Sequence, residues 1–297
     1  MSSQIKKQTK YSQDDGSADL LIGLVGRGIQ KSRTPRMHMA EGAAQGHRIL
    51  YQILDADAFP RGEAPLEKIV DAAELCGFAG LNVTFPYKID VMAFLDELSP
   101  NARAIGAVNT VVFRNGRRIG HNTDKWGFEE GFRRNLPDAK MGHVLQIGAG
   151  GAGVAVAHGL LSLGADRLTI ADTNAERAEA LVKQLSQSAD AAQVNAIDLS
   201  KLPEISPTGV VNATPMGMAK LPGSSYPIDL LHHDMWVADI VYFPLETELL
   251  AAARAAGCRV LLGSGMAVYQ AVRAYELFTG RKPDPMRMKA TFDSFIS

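Results

Sequence analysis

The chain has little that would tie it to nucleic acid, to a membrane or to an oxidising compartment. Its 297 residues carry 31 Lys plus Arg against 32 Asp plus Glu, a net charge of −1. A charge so balanced excludes the basic surface that coats phosphate backbones and the polybasic segment that docks on anionic lipid. Only two cysteines occur, Cys76 and Cys258. They are far apart and lack ligand spacing, so neither a disulfide framework nor a zinc site is expected, and no metal of any kind. A reducing, cytoplasmic setting suits them. No apolar run reaches the roughly 18 residues that span a bilayer, and the opening "MSSQIKKQTKYSQDDGSAD" has no hydrophobic centre of a signal peptide. Residues 1–18 read as a flexible arm. Internal repeats and low-complexity segments are absent too. What remains is a chain long enough for two cores and suited to small molecules.

From Leu20 onward, short apolar runs alternate with helical patterns. "LLIGLVG", "RILYQIL" and "GLNVTF" read as strands, with helices near 35–46 and 63–76 between them, as in parallel βα units. "AVNTVVFRNGRRIGHN" reads as a hairpin turning at Asn115-Gly116, a pair that readily takes positive φ. After "NTDKWGFEEGFRRNLP", a helix that Pro137 helps to end, a second series begins: "HVLQIGA", "RLTIAD", "AQVNAI", "GVVNAT", "MWVADIVY" and "RVLLG". We expect a two-domain α/β protein: a first unit over 19–124, a second over 125–264, and two closing helices within 265–297 that have no strand partners and pack back on the first unit.

The second unit opens with Gly148, Gly150 and Gly153 in G-x-G-x-x-G register, directly after a strand and at the mouth of a helix. The first glycine makes the tight turn, the second lets backbone approach a pyrophosphate, and the third allows close helix packing, with the helix N-terminus facing the anion. Asp172 ends the following strand, where a dinucleotide site needs a partner for ribose hydroxyls. A glycine-rich turn followed by an aspartate that caps the next helix reads the same stretch, and both readings stay open.

The first unit supplies Lys88, after a strand and Pro86 at an expected helix start, and Asp124, which opens the helix leading into the second unit. Either could be a solvated surface charge. Both stand where ligands of such folds gather, at strand ends and between domains. A lysine beside a carboxylate there can exchange a proton with a substrate hydroxyl. His121 is the weaker candidate of a strand end, and the adjacent His232 and His233 cannot converge on one ligand.

In this order, "GLVGRGIQKSRTPRMH", "NVTFPYK", "GAVNT", "GHNTD", "IGAGGAG", "NATPMGM", "DIVY" and "GSGMAVYQA" resemble the shikimate/quinate dehydrogenase family over nearly the whole chain after residue 20. The resemblance implies hydride transfer between a nicotinamide and the carbon bearing the 3-hydroxyl of a cyclic polyol acid, with the first domain binding the acid and a Rossmann-like second domain binding the dinucleotide. It implies that Ser32 and Thr34 hydrogen-bond the acid's carboxylate, that Thr84, Asn109 and Gln270 hold ring hydroxyls, and that Lys88 and Asp124 do so at the reacting carbon. Lys88 is then the general base of oxidation and Asp124 its orienting partner, and Tyr242 lines the cleft. Without the resemblance, Ser32 and Thr34 would read as helix-entry residues before Pro35. For the cofactor it implies the backbone of Gly148, Ala149, Gly150, Gly151, Ala152 and Gly153, the side chain of Asp172, and Thr214, Val241 and Gly263 near the nicotinamide. Arg177 either stacks on the adenine or is a solvated helix residue.

Two departures refine the expectation. The common S-x-S-P is Ser32-Arg33-Thr34-Pro35 here, a look that together with "ADTN" resembles NAD-using quinate/shikimate dehydrogenases of catabolism. Arg27-Gly28 stands where Asn-Pro is common. We therefore expect NAD as cofactor and quinate and shikimate as substrates, with an NADP-linked biosynthetic shikimate dehydrogenase as the alternative and a non-catalytic sensor as the alternative of another class. Monomer and homodimer both stay open.

Overall fold

The computed structural model describes residues 19–60, 62, 64–187 and 193–294. The arm expected over 1–18 lies outside them. Two six-stranded sheets carry the chain, the first in the order β2-β1-β3-β5-β6-β4 and the second in the order β12-β11-β10-β7-β8-β9.

The first sheet starts with β1 (Leu20–Gly26), α1 (Thr34–Ala44), β2 (Ile49–Asp55), α2 (Leu66–Leu75) and β3 (Gly80–Val83), and β1 pairs in parallel with both its neighbours. These are the expected βα units. The chain then turns back through β4 (Glu97–Leu98), α3 (Pro100–Ile105) and the hairpin β5 (Thr110–Arg114) and β6 (Arg117–His121). At the hairpin, Asn115 and Gly116 take φ of 55° and 70°, the positive pair that matches the twist of the strands.

The helix expected at Lys88 does not form there. Lys88 lies in a turn ahead of a short 3-10 stretch, Asp90–Phe94. Sheet pairing wins over helix here, because Asp96 and Ser99 donate backbone bonds to Arg118 and Gly120, and Val108 donates to the Lys88 carbonyl at 2.8 Å. The two-residue β4 and the helix α3 were not expected either. Ser99 caps α3 through the Ala102 N–H, Pro100 opens it and Gly106, at φ 70°, ends it.

Helix α4 (Asp124–Asn135) leads into β7 (His143–Ile147), α5 (Gly151–Ser162), β8 (Arg167–Ala171), α6 (Ala175–Ser186), β9 (Gln193–Ile197), β10 (Gly209–Asn212), β11 (Trp236–Asp239), α7 (Glu248–Ala255) and β12 (Arg259–Leu261). All its strand pairs are parallel, and the order reverses between β7 and β10. At such a switch point a crevice opens beyond the strands' carboxyl ends. Each face of this sheet has its own core. Val144, Leu168, Ile170 and Trp236 pack with Phe128 and Phe132 of α4 and with α5, whereas Leu145, Ile147 and Val210 pack with Tyr226 and Leu249. Full burial of such a side chain contributes about 1.5–3 kcal/mol.

The closing helices are α8 (Gly263–Thr279) and α9 (Pro285–Asp293), and both pack against elements of the first sheet. Val268, Val272, Tyr275 and Phe278 of α8 share a core with Ile22, Met37, Ile49 and Val112. Helix α9 docks on α1 through Glu41, which is fully buried and takes two bonds from Arg287, at 2.6 and 3.0 Å. Helices α4 and α8 meet at Gly127, where a Cβ would lie 2.6 Å from the Gln270 nitrogen. That contact brings Gln270 beside the start of α4.

Candidate active site

Lys88 and Asp124 meet. Lys88 Nζ donates to Asp124 Oδ2 at 2.7 Å, with side chains 23% and 9% exposed. Asp124 is the first residue of α4, where the helix dipole favours a carboxylate. Its backbone N–H is taken by Asn122 Oδ1 at 3.0 Å, while its carboxylate faces the lysine.

Asn109 and Gln270 converge on the same corner through Thr123. Asn109 Nδ2 donates to Thr123 Oγ1 at 3.0 Å, and that hydroxyl lies 3.5 Å from Gln270 Oε1. The amide of Asn109 is less versatile than expected. Its Oδ1 already accepts from the Thr123 N–H at 2.8 Å, from Thr110 Oγ1 at 3.1 Å and from Thr123 Oγ1 at 3.2 Å, which exhausts it as an acceptor.

Thr84 follows β3, its N–H bonded to the Val25 carbonyl, and its methyl side lies against Gly26, where a Cβ would come within 2.4 Å of Thr84 Cγ2. Ser32 and Thr34 stand at the entry of α1, with the Thr34 N–H 3.4 Å from Ser32 Oγ; both are half-buried. The loop before them explains Arg27-Gly28. Gly28 has φ 64° and its N–H reaches Asp55 Oδ1 at 2.9 Å, while Ile29 N and Gln30 Nε2 reach Asp55 Oδ2. A proline at 28 could neither take that φ nor donate that bond. Burial pushes the Asp55 carboxyl up, but its donors outweigh burial and hold it below the usual carboxylate range. Tyr242 is the outlier among these residues. It is 46% exposed and its ring meets Phe292 of α9 edge-on at 6.1 Å.

On the second sheet, Gly148 has φ 106°, and a Cβ there would meet the Ala213 carbonyl at 2.6 Å. At Gly153 a Cβ would stand 2.3 Å from the Gly148 carbonyl. At Gly150 and Gly151 a Cβ would meet nothing within 4 Å, and no side chain caps α5. Close packing below and open amides above fit a pyrophosphate at this helix N-terminus. Ala149 and Ala152 belong to the same turn.

Asp172 does not cap α6. Asn174 does, accepting from the Arg177 N–H at 3.1 Å. Instead, Asp172 Oδ2 accepts from the Ala149 N–H at 2.7 Å and Oδ1 from the Asn174 N–H at 2.8 Å, so the carboxylate ties the end of β8 to the glycine loop. Arg177 is exposed on the first turn of α6. Thr214 Oγ1 donates to Asn212 Oδ1 at 2.7 Å; the Val241 N–H donates to Asp239 Oδ1 at 2.9 Å; and at Gly263 a Cβ would clash with the Val241 carbonyl at 2.4 Å. All three therefore surround the carboxyl ends of β10 to β12.

Sequence reading missed three buried supports. Asp55 shapes the loop before Ser32. Gln146 donates both amide protons, to the carbonyls of Gly148 and Gly153 at 2.8 and 2.9 Å. Asp239 joins Asn212 (2.9 Å) to Thr247 (2.7 Å), and burial pushes its carboxyl up. The available signals were a polar residue inside an apolar strand for Gln146 and an aspartate that ends a strand for Asp55 and Asp239.

His121 is half-buried beside Thr110 of β5, and burial, with Arg273 and Arg114 nearby, lowers its pKa. His232 and His233 are exposed. An open groove of about 700 Å³ runs along β8 and β9, from His143, Arg167 and Gln193 at the amino ends past Thr169 and Asn195 to Ile197; none of the candidate residues above lines it. Among the described residues no group of three His, Cys, Asp or Glu is placed to hold a metal, and no helix is long and apolar enough to cross a membrane.

Comparison with known proteins gives three matching family models: shikimate dehydrogenase substrate binding domain over residues 24–111, shikimate / quinate 5-dehydrogenase over 131–208, and shikimate 5'-dehydrogenase C-terminal domain over 263–291. The chain is 51% identical over 272 residues to a shikimate dehydrogenase (NADP(+)) of Streptomyces avermitilis, covering 91% of this chain and 94% of that one. It is 47% identical over 276 residues to a quinate/shikimate dehydrogenase (NAD(+)) of Corynebacterium glutamicum strain R, covering 92% and 98%. Among solved structures it resembles quinate dehydrogenase from Corynebacterium glutamicum in complex with NAD, with a TM-score of 0.90 and 47% identity over 93% of this chain and 100% of that one.

Proposed function

Since the chain belongs to the shikimate/quinate dehydrogenase family of oxidoreductases, which act with a nicotinamide dinucleotide, we propose that it oxidises quinate and shikimate at the 3-hydroxyl carbon with NAD. In this reading residues 19–124 with 265–297 bind the acid and 125–264 bind the dinucleotide. The bond between Lys88 Nζ and Asp124 Oδ2, 2.7 Å long, carries the reading, because it puts a proton-transfer pair at a strand end next to the hydroxyl-binding amides. A sensor that only binds has no need of such a pair.

The bound nicotinamide supplies the hydride acceptor. The chain's own residues do the rest. Ser32 and Thr34 receive the acid's carboxylate, and Thr84, Asn109 and Gln270 hold its ring hydroxyls. Lys88 takes the proton from the reacting hydroxyl during oxidation and returns it during reduction. Lys88 does this as the neutral amine, which Asp124 orients through the short bond, and the carboxylate then stabilises the ammonium that the transferred proton creates. Tyr242 closes the cleft from the side of the second sheet. Thr34 carries one methyl more than serine at the carboxylate end, where quinate is bulkier than shikimate.

For the cofactor, overall similarity is divided, since relatives at 51% and 47% identity are named for NADP and for NAD. Asp172 and Thr173 favour NAD. The carboxylate accepts from adenosine ribose hydroxyls and repels a 2′-phosphate, and the neutral Thr173 beside it supplies no cation to bind that phosphate. Like-charge juxtaposition costs several kcal/mol, which corresponds to roughly a hundredfold preference for NAD in kcat/KM. Because Asp172 also holds the Ala149 N–H, Asp172→Asn alone would disturb the loop as well as the charge. Thr173→Arg is the cleaner change. Compared in kcat/KM for both dinucleotides, wild type should prefer NAD, Thr173→Arg should gain NADP use, and the double change with Asp172→Asn should gain more. A wild-type preference for NADP would overturn the assignment.

A further inference from the structure

Under the hydroxyl-binding corner runs a line of buried hydrogen bonds. Tyr51 Oη on β2 donates to Asn82 Oδ1 on β3 at 2.7 Å. Asn82 Nδ2 donates to Thr110 Oγ1 on β5 at 3.2 Å, Thr110 Oγ1 to Asn109 Oδ1 at 3.1 Å, and Asn109 Nδ2 to Thr123 Oγ1 at 3.0 Å. Asn82, Thr110, Asn109 and Thr123 are all buried, so the bonds are withdrawn from bulk water. Burial also raises the Tyr51 phenol, which keeps it protonated and donating.

The direction of this line is not arbitrary. An asparagine amide can face either way, but backbone groups have one role each, and two of them decide the matter. The Thr123 N–H, which can only donate, lies 2.8 Å from Asn109 Oδ1. The backbone carbonyl of Asn109, which can only accept, lies 3.5 Å from Asn82 Nδ2. With both amides oriented, Thr110 must accept from Asn82 and give its proton to Asn109. Asn109 Oδ1 is then saturated, while Nδ2 gives one proton to Thr123 and keeps the other.

We infer that this relay makes Asn109 a one-way contact, a hydrogen-bond donor to a substrate ring hydroxyl and not an acceptor, and that Tyr51 and Thr110 are positioning residues that impose this polarity from beneath the site. The inference rests on Asn109 being a substrate contact, as proposed above. Tyr51 and Thr110 touch no substrate; they act by holding one face of a carboxamide inward. The ring hydroxyl that meets Asn109 consequently accepts there and must send its own proton to another group.

Thr110→Val keeps the shape and removes the relay's central hydroxyl, Thr110→Ser restores it, and Tyr51→Phe removes its outer end. In each variant the KM for shikimate, the KM for NAD, kcat and the melting temperature are measured, with Asn109→Ala as reference. Loss of one oriented hydrogen bond corresponds to about a fivefold change. We expect the KM for shikimate to rise by about that factor in Thr110→Val and by less in Tyr51→Phe. The KM for NAD should stay at the wild-type value, and Thr110→Ser should recover both. A merely structural role lowers the melting temperature without separating the two KM values, and that result overturns the relay. So does an unchanged KM for shikimate in Thr110→Val and Tyr51→Phe when Asn109→Ala raises it, which leaves the substrate reading standing. If Asn109→Ala itself leaves that KM unchanged, the substrate reading of Asn109 and the relay fall together. Should Thr110→Val not fold, Tyr51→Phe decides by the same criteria.

Discussion

Replacing Lys88 with alanine separates proton transfer from anchoring. As a general acid and base, the lysine is worth about 100 to 10,000-fold in kcat, or roughly 3–5.5 kcal/mol of barrier. As an anchor for a hydroxyl in the ground state it contributes only about 1 kcal/mol, a rise of some fivefold in KM. The two roles differ by more than an order of magnitude in kcat, so the assay is decisive even with modest precision. The fold should tolerate the change. Lys88 is 23% exposed and Asp124 lies on the favourable end of α4, so the uncompensated carboxylate costs about 1–2 kcal/mol, below the 3–5 kcal/mol of a fully buried pair. Steady-state kcat and KM follow from NADH absorbance, and a urea titration reports stability. Lys88→Arg is the informative companion, because it keeps a cation beside Asp124 but holds its proton at every accessible pH. Alanine and arginine should both be nearly inactive, with KM values near wild type. If kcat survives within a few fold while KM rises, Lys88 is an anchor and the proton goes elsewhere.

Gly153→Ala places a methyl 2.3 Å from the Gly148 carbonyl and 3.2 Å from Gln146 Nε2, so the glycine loop must move; kcat/KM for NAD should fall on the order of a hundredfold while the KM for the acid is kept, as titrations of each substrate will report. His38 is fully buried among Tyr51, Tyr275 and Phe278, and burial lowers its pKa from 6.5 to about 3. Its folded pKa is depressed, so the stability is present above pH 6.5 and is lost as pH falls towards 3, because only the unfolded chain takes the proton in that window. Between pH 6.5 and about pH 5 the loss from this residue should be roughly 2 kcal/mol, and His38→Leu, followed by urea unfolding at both pH values, should remove that part of the dependence.

The fold was largely readable because it is written in local patterns. Alternating apolar runs and helical spacing mark β1 to β3 and β7 to β12, and Asn115-Gly116 marks the hairpin. The glycine register is legible for the same reason, since each glycine answers a steric demand that recurs wherever a strand turns into a helix. Helix α3 also left its signals in Ser99, Pro100 and Gly106. Less legible was anything decided across the sheet. Lys88 sits in a turn because its carbonyl takes the Val108 N–H, while Asp96 and Ser99 bond to β6, partners distant in the chain. Asp172 looked like either a cap or a ribose ligand, and its bond to the Ala149 N–H is a third role that depends on how close β8 lies to the glycine loop. The saturated Oδ1 of Asn109 likewise depends on Thr110 and Thr123, and residue type alone could only say that an amide both donates and accepts.

The central claim, an NAD-dependent oxidation of both acids by one cleft, is tested most directly by kcat/KM of the wild-type protein in a two-by-two matrix of quinate and shikimate against NAD and NADP. The account predicts turnover of both acids with NAD and a preference for NAD over NADP of roughly a hundredfold with either acid. Preference for NADP, or turnover of shikimate alone, would contradict it.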